Sequence, residues 1–98
     1  MQESLQYELT GILHATFPPV KVGVSRQRRS FVVLTDTLSP QYILLEAYDT
    51  LAQSLEQLPP RTKVKVIFRL EGQLWHPPQG KARYLNKLVA VEIKRITI

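Results

Sequence analysis

Apolar and polar residues alternate with a period of two along most of this chain, which is the pattern of half-buried β-strands. The alternation breaks at Pro18-Pro19, Gly23–Arg29, Leu38–Pro40, Pro59-Pro60 and Pro77–Gly80, where turn chemistry is expected. In the first run Leu5, Tyr7 and Leu9 share a face, Gly11 interrupts, and Ile12–Phe17 continues. A glycine inside a strand marks a bulge or a sharp bend. The first strand is therefore predicted to be long and bent, serving two sheets. Ser30–Asp36 (SFVVLTD) and Gln41–Tyr48 (QYILLEAY) predict a second and third strand, joined through Ser39-Pro40 as an antiparallel hairpin. Ile43, Leu45 and Ala47 take the inward positions of the third strand, and Tyr42, Leu44 and Glu46 the outward ones. Residues 31–34 are apolar on both faces, so the facing of the second strand stays open. If Phe31, Val33 and Thr35 point inward, Val32 and Leu34 point out beside Leu44.

Asp49–Leu58 (DTLAQSLEQL) is the one helical segment. Leu51, Leu55 and Leu58 recur at helical spacing, Asp49 or Thr50 can cap the start, and Pro59-Pro60 ends it. A helix of about ten residues is not stable alone and has to dock on the sheet. The fourth strand, Lys63–Glu71, places Val64, Val66, Phe68 and Leu70 on one face and Lys63, Lys65, Ile67 and Arg69 on the other. The fifth runs from Arg83 to Ile96, and its Leu88-Val89-Ala90-Val91 is apolar on both faces. That composition predicts burial on both sides, by a barrel wall and a partner subunit. The order β-β-β-α-β-β, with a long bent first strand, is that of the OB-fold, a five-stranded Greek-key barrel with its helix plugging one end. The expected fold is all-β with one short helix, in a single domain over residues 1–98.

Charge is unevenly spread. The net charge is +5. KVGVSRQRRS (residues 21–30) holds Lys21, Arg26, Arg28 and Arg29 and no acid, residues 31–60 hold acids and no base, and residues 61–98 carry nine bases against two acids. Such clustering points to an anionic partner. The chain has no Cys, hence no disulfide framework and no thiolate metal site. MQESLQYELT has neither the basic nor the apolar region of a secretory leader, and no apolar run approaches the roughly 20 residues of a membrane span. A cytoplasmic protein is expected.

Several stretches resemble one family. YELTG opens the first strand, SFVVLTD fills the second, LLEAYD leads into the helix, and VKVIFRLEGQLW is followed after a short turn by ARYLNKLVAVEI. Together they are similar, over about residues 7–96, to a family of small bacterial and phage proteins known as a domain of unknown function, which itself looks like the single-stranded-DNA-binding OB-folds. The most specific part is the EGQLW segment followed by Tyr84-Leu85-Asn86. The resemblance implies the fold and, through it, nucleic-acid binding. Residues 18–29, Pro77-Pro78, Leu34 and Leu44 depart from the family pattern.

The residues supply no catalytic constellation. His14 and His76 lack a third ligand at metal spacing, and no Ser has a His–acid partnership that spacing can place. No enzyme activity, metal or cofactor is expected. Binding of single-stranded DNA, or RNA, fits better. OB-folds take single strands on the outer face of the second and third strands, framed by the connections between strands one and two and between four and five. Cations must follow the phosphates, and flat side chains must stack on the bases. The residues answering to this are Lys21, Arg26, Arg28 and Arg29 at the first connection, Trp75, His76, Lys81, Arg83 and Tyr84 at the second, and Tyr42 and Arg69 pointing outward between. Trp75 can equally be a stacking platform or a plug on the barrel rim. Phe31, Phe68, Tyr7 and Tyr48 read as core. The competing use of the same barrel is protein association, as a homo-oligomer or within a larger complex, through an outward apolar face of Val32, Leu34, Leu44 and Ile67.

Overall fold

A computed structural model describes residues 5–97. Its strands are β1 (Gln6–Thr16), β2 (Val20–Val22), β3 (Arg26–Thr35), β4 (Tyr42–Tyr48), β5 (Lys63–Trp75) and β6 (Arg83–Arg95). Helix α1 (Asp49–Ser54), continued by a 3₁₀ turn at Leu55–Gln57, lies between β4 and β5. The strands are hydrogen-bonded in the order β1-β5-β6-β4-β3-β2, and β1 also pairs with β3. That second pairing closes the ring β1-β5-β6-β4-β3 into a barrel. All neighbours are antiparallel except β4 and β6, which run parallel and meet at Glu46 and Val89. The barrel matches the expected architecture. The order differs by one strand, because Val20–Val22 pairs back onto Arg26–Arg28 and turns the expected polar loop into a β-hairpin, with Gly23 at φ 67° in its turn.

Gly11 is where β1 changes partners. It sits opposite both Val64 of β5 and Thr35 of β3. A Cβ built on Gly11 falls 2.1 Å from the carbonyl oxygen of Leu34. Only a residue without a side chain lets β1 pass this close to β3, so the mid-strand glycine serves the change of partners; the register irregularity of β1 falls further on, between Leu13 and Ala15.

The core consists of Leu13, Phe31, Val33, Leu45, Ala47, Ala52, Leu55, Val64, Val66, Phe68 and Ala90, with Leu51 and Leu58 packed against it. The open choice in β3 is settled: Phe31 and Val33 are inside, while Val32 and Leu34 face out. Ala52 and Leu55 close one end of the barrel from the helix. The expected cap does not form. Tyr48 takes the N-cap position with no side-chain hydrogen bond, and Asp49, at φ 53°, turns its carboxylate to β3 instead, accepting from the Gln27 backbone N–H at 3.1 Å.

Two further expectations change. Leu70 continues the inward set of β5 but is half exposed, because β5 and β6 run on past the rim as a free two-stranded arm. In β6, Val89 and Ala90 are both buried within the chain. Ala90 joins the core; Val89 lies across from Arg69 and Glu46. A register shift opposite Ile67/Phe68 leaves Val91 exposed. No partner subunit is needed to cover Val89.

Candidate nucleic-acid interface

Side chains alternate across a strand, so the registers assign each residue a face. On β3 and β4 the outer face carries Arg26, Arg28, Ser30, Val32 and Leu34 opposite Tyr48, Glu46, Leu44 and Tyr42. Tyr42 is 65% exposed and Leu44 58%. The ring of Tyr42 meets that of His14 edge-on, with centroids 4.9 Å apart. Tyr48, read from the sequence as core, is half-buried on this outer face. The Arg26 guanidinium lies 4.7 Å over its ring, and its hydroxyl donates to Glu46 at 3.1 Å. Tyr7 is likewise exposed and packs beside Phe68.

The four cations of the KVGVSRQRRS stretch divide between faces. Arg26 and Arg28 lie on the outer face. Lys21 pairs with Gln27 and lies on the other face of the β2–β3 hairpin. Arg29 points to the helix side, where its side chain is only 12% exposed. There it binds Glu56 and donates to the Phe17 carbonyl at 2.7 Å and to Thr16 Oγ1 at 3.3 Å. Its charge and fork geometry are used up in tying β1, β3 and the 3₁₀ turn together. Arg28, by contrast, has no carboxylate within 4 Å among the described residues.

Arg26 is held by the Asp49 carboxylate, with Nε 3.0 Å from Oδ2. The hydrogen bond from the Gln27 backbone, reinforced by Arg26, draws the Asp49 pKa below its ordinary value. A depressed carboxylate stabilises the fold above its unfolded-state pKa, and the contribution disappears as pH falls through the folded-state value. Thermal melts of the parent and of Asp49→Asn should therefore differ at neutral pH and converge on acidification. A difference independent of pH would show that the charge of Asp49 is not what matters.

The arm also sorts its residues. Trp75 is not on a loop. It is the last residue of β5 and pairs with Arg83, whose guanidinium is 6.0 Å from the indole centroid. Trp75 is 45% exposed and lies far from the core, so it is no plug of the barrel. With Pro77, Gly80, Lys81 and Arg83 it lines a cleft of about 230 Å³ at the tip. Lys81, Arg83 and His76 are exposed there, and neither Lys81 nor Arg83 has a carboxylate within 4 Å among the described residues. Tyr84 projects from the opposite face of the arm, beside Leu74, and is 84% exposed. Arg69 is paired with Glu71 at 2.8 Å.

The two connections do not lie together. The Arg26–Arg28 hairpin faces Tyr48 at the C-terminal end of β4. The arm leaves in the other direction, because β6 runs parallel to β4 and its residues before Val89 lie toward and beyond the start of β4. They bracket the β3–β4 face from its two ends. Ile67 does not belong to the outward apolar patch. It pairs with Glu8, whereas Leu34 pairs with Ile12, four residues or about 13 Å further along β1. Ile12 takes its place beside Leu34. Sequence reading neither singled out Arg61 nor placed His14 against Tyr42; Arg61 looked only like the residue after a helix-ending Pro pair.

Among the described residues no three His, Asp or Glu side chains stand close enough to share a metal ion, and no helix is long and apolar enough to cross a membrane. The fold is similar to that of several solved proteins. A single-stranded DNA binding protein from Thermus aquaticus superimposes with a TM-score of 0.72 at 17% identity, over 95% of this chain and 40% of that one; this chain thus spans less than half of that relative. The mitochondrial single-stranded DNA binding protein from S. cerevisiae gives 0.71 at 8% identity, covering 97% of both chains. The second such protein of Mycobacterium smegmatis gives 0.68 at 12%, over 95% of this chain and 89% of that one. At these identities the likeness is one of fold. No curated protein matches the sequence. The match that reaches beyond architecture is to a sequence family spanning residues 8–94, nearly the whole barrel and its arm, and the chain belongs to that family, the domain of unknown function DUF3127.

Proposed function

We propose that this protein binds single-stranded nucleic acid, DNA in preference to RNA, without catalysis, and serves replication, recombination or repair in the cytoplasm. The observation that carries this reading is the outer β3–β4 face, where the exposed ring of Tyr42 shares one surface with Arg28, which has no carboxylate within 4 Å among the described residues. The cationic, Trp-bearing arm reaches out beyond one end of it. Stacking on a ring such as Tyr42 contributes roughly 1–3 kcal/mol per base, and each phosphate neutralised releases counterions. Arg26, Arg28, Tyr42, Trp75, Lys81, Arg83 and Tyr84 form the proposed contact set, with His76 at its edge. Lys21, Arg29 and Arg69 stand outside it. The fold likeness to single-stranded DNA binding proteins supports the same reading.

The test is a fluorescence-anisotropy titration of poly-dT and poly-U oligonucleotides at two salt concentrations. Binding that weakens with salt is expected, tighter for dT. No anisotropy change at low salt sinks the proposal. Arg28→Ala should flatten the slope of log K against log salt by about 0.7, the value for one phosphate contact on a single strand. Arg29→Ala should leave the slope alone and lower the melting temperature, since it removes a partly buried hydrogen-bonded charge. The reverse assignment would mean that the face is misidentified.

A second reading rests on the apolar part of the same face. Val32, Leu34, Leu44 and Ile12 form an outward patch, and a patch of this kind serves association with a further copy or another protein. Light scattering over a concentration series, with and without oligonucleotide, separates the two. Self-association indifferent to oligonucleotide favours assembly.

A further inference from the structure

We infer that the groove between β1 and the turn before β5 is a base-and-phosphate subsite, built by His14, Tyr42 and Arg61, that extends the strand's path off the β3–β4 face. This deepens the proposed function and rests on it. The groove has a volume of about 450 Å³ and is lined by Ile12, His14, Leu34, Tyr42, Pro60 and Arg61. Its composition suits an unpaired nucleotide: an apolar floor of Ile12 and Leu34, two aromatic rings meeting edge-on, and one cation at the side. An edge-on pair leaves a ring face open for a base.

Arg61 carries the stronger part. It has φ 70°, the left-handed region that a side chain other than Gly, Asn or Asp seldom adopts. The conformation is enforced by its surroundings. The Arg61 N–H donates to the Leu13 carbonyl at 2.9 Å, and the Leu13 N–H donates to the Thr62 carbonyl at 2.9 Å. The Thr62 hydroxyl locks the turn by donating to the Pro59 carbonyl at 2.6 Å. The turn is thus sewn to β1 on both sides of Arg61. Glycine would satisfy this backbone better, so the fold alone does not call for arginine here. The side chain is exposed and has no carboxylate within 4 Å among the described residues. A strained residue over-determined by its neighbours, with an unspent charge beside a groove, is the signature of a binding position.

The arginine can be removed while the strain is relieved, which separates binding from folding. Arg61→Gly should melt at the same temperature as the parent or higher, yet bind a dT oligonucleotide about 5–10-fold more weakly, the charge-assisted contact being lost. His14→Ala should weaken binding to a similar extent, within the range measured for base stacking. That loss should vanish against an oligonucleotide whose bases are replaced throughout by abasic sites, whereas the loss in Arg61→Gly should persist. If the parent binds and both variants bind equally well, the subsite is overturned while the proposed function stands. If the parent does not bind at all, the proposed function falls and the subsite with it. Comparing dU with U oligonucleotides tests the sugar: equal losses on both polymers are expected, and a loss confined to RNA would overturn the assignment to a DNA path.

Discussion

Gly11→Ala is expected to lower the melting temperature by about 15 °C. The added Cβ would lie 2.1 Å from the Leu34 carbonyl oxygen and 2.8 Å from a Val33 methyl. The first obstacle is backbone, which no rotamer change moves. Overpacking of a close contact costs typically 1–3 kcal/mol. The upper part of that range applies, because relief requires β1 and β3 to separate at the point where the barrel closes. For a chain of this size 1 kcal/mol shifts the midpoint by roughly 4–8 °C. Gly72→Ala is the matched control. It lies in the arm, and its added Cβ would meet only Asn86 Oδ1 at 3.7 Å, an ordinary contact. Circular dichroism melts of the two variants check the contrast. A Gly11→Ala midpoint within 2 °C or so of the parent would mean that β1 does not pass through this closure.

Trp75→Ala is expected to weaken binding of a dT oligonucleotide by roughly 10-fold or more, from a stacking contribution of about 1–3 kcal/mol, while leaving the melting temperature nearly unchanged. The two halves come from the same placement. Trp75 sits at the far end of the arm, nearly half exposed and opposite Arg83, so its removal opens no cavity in the core. The parent should also show quenching of its tryptophan emission on binding, an unambiguous signal because the chain has a single Trp. A variant that binds as well as the parent removes the arm tip from the site. A variant that loses several degrees of stability would show instead that the indole anchors the arm.

Much of the fold was legible in the chain because one residue in two had to be apolar to make a wall. Val64, Val66 and Phe68 announce their face by alternation, and they are buried as that pattern requires. Gly11, which interrupts that alternation, marks the place where β1 passes from β5 to β3. The site was legible in residue type and less so in location. Tyr42, Arg28 and Trp75 were identifiable as exposed or loop-side candidates, but Arg28 and Arg29 are adjacent arginines that no local pattern distinguishes. Their difference arises because one faces outward and the other meets Glu56, 27 positions away in sequence. Tyr48 read as core because it precedes a helix; β4 holds its alternation one residue further and turns the ring outward beneath Arg26.

By itself, then, the sequence determined the β-rich class, the strand order from β1 to the last strand apart from the short β2, the inward sets of β4 and of β5 as far as Phe68, and the concentration of positive charge. These are local properties, carried by periodicity, turn residues and composition. Tertiary structure alone decided which cations find a carboxylate among the described residues, that Trp75 ends a strand instead of closing the rim, and that Arg61 stands beside His14 and Tyr42. The pairing of the cations and the placement of Arg61 depend on partners distant in the chain, set by barrel closure, a global constraint that no short window of sequence contains. Trp75 depends on a nearer partner, Arg83, in a hairpin that continues beyond the barrel.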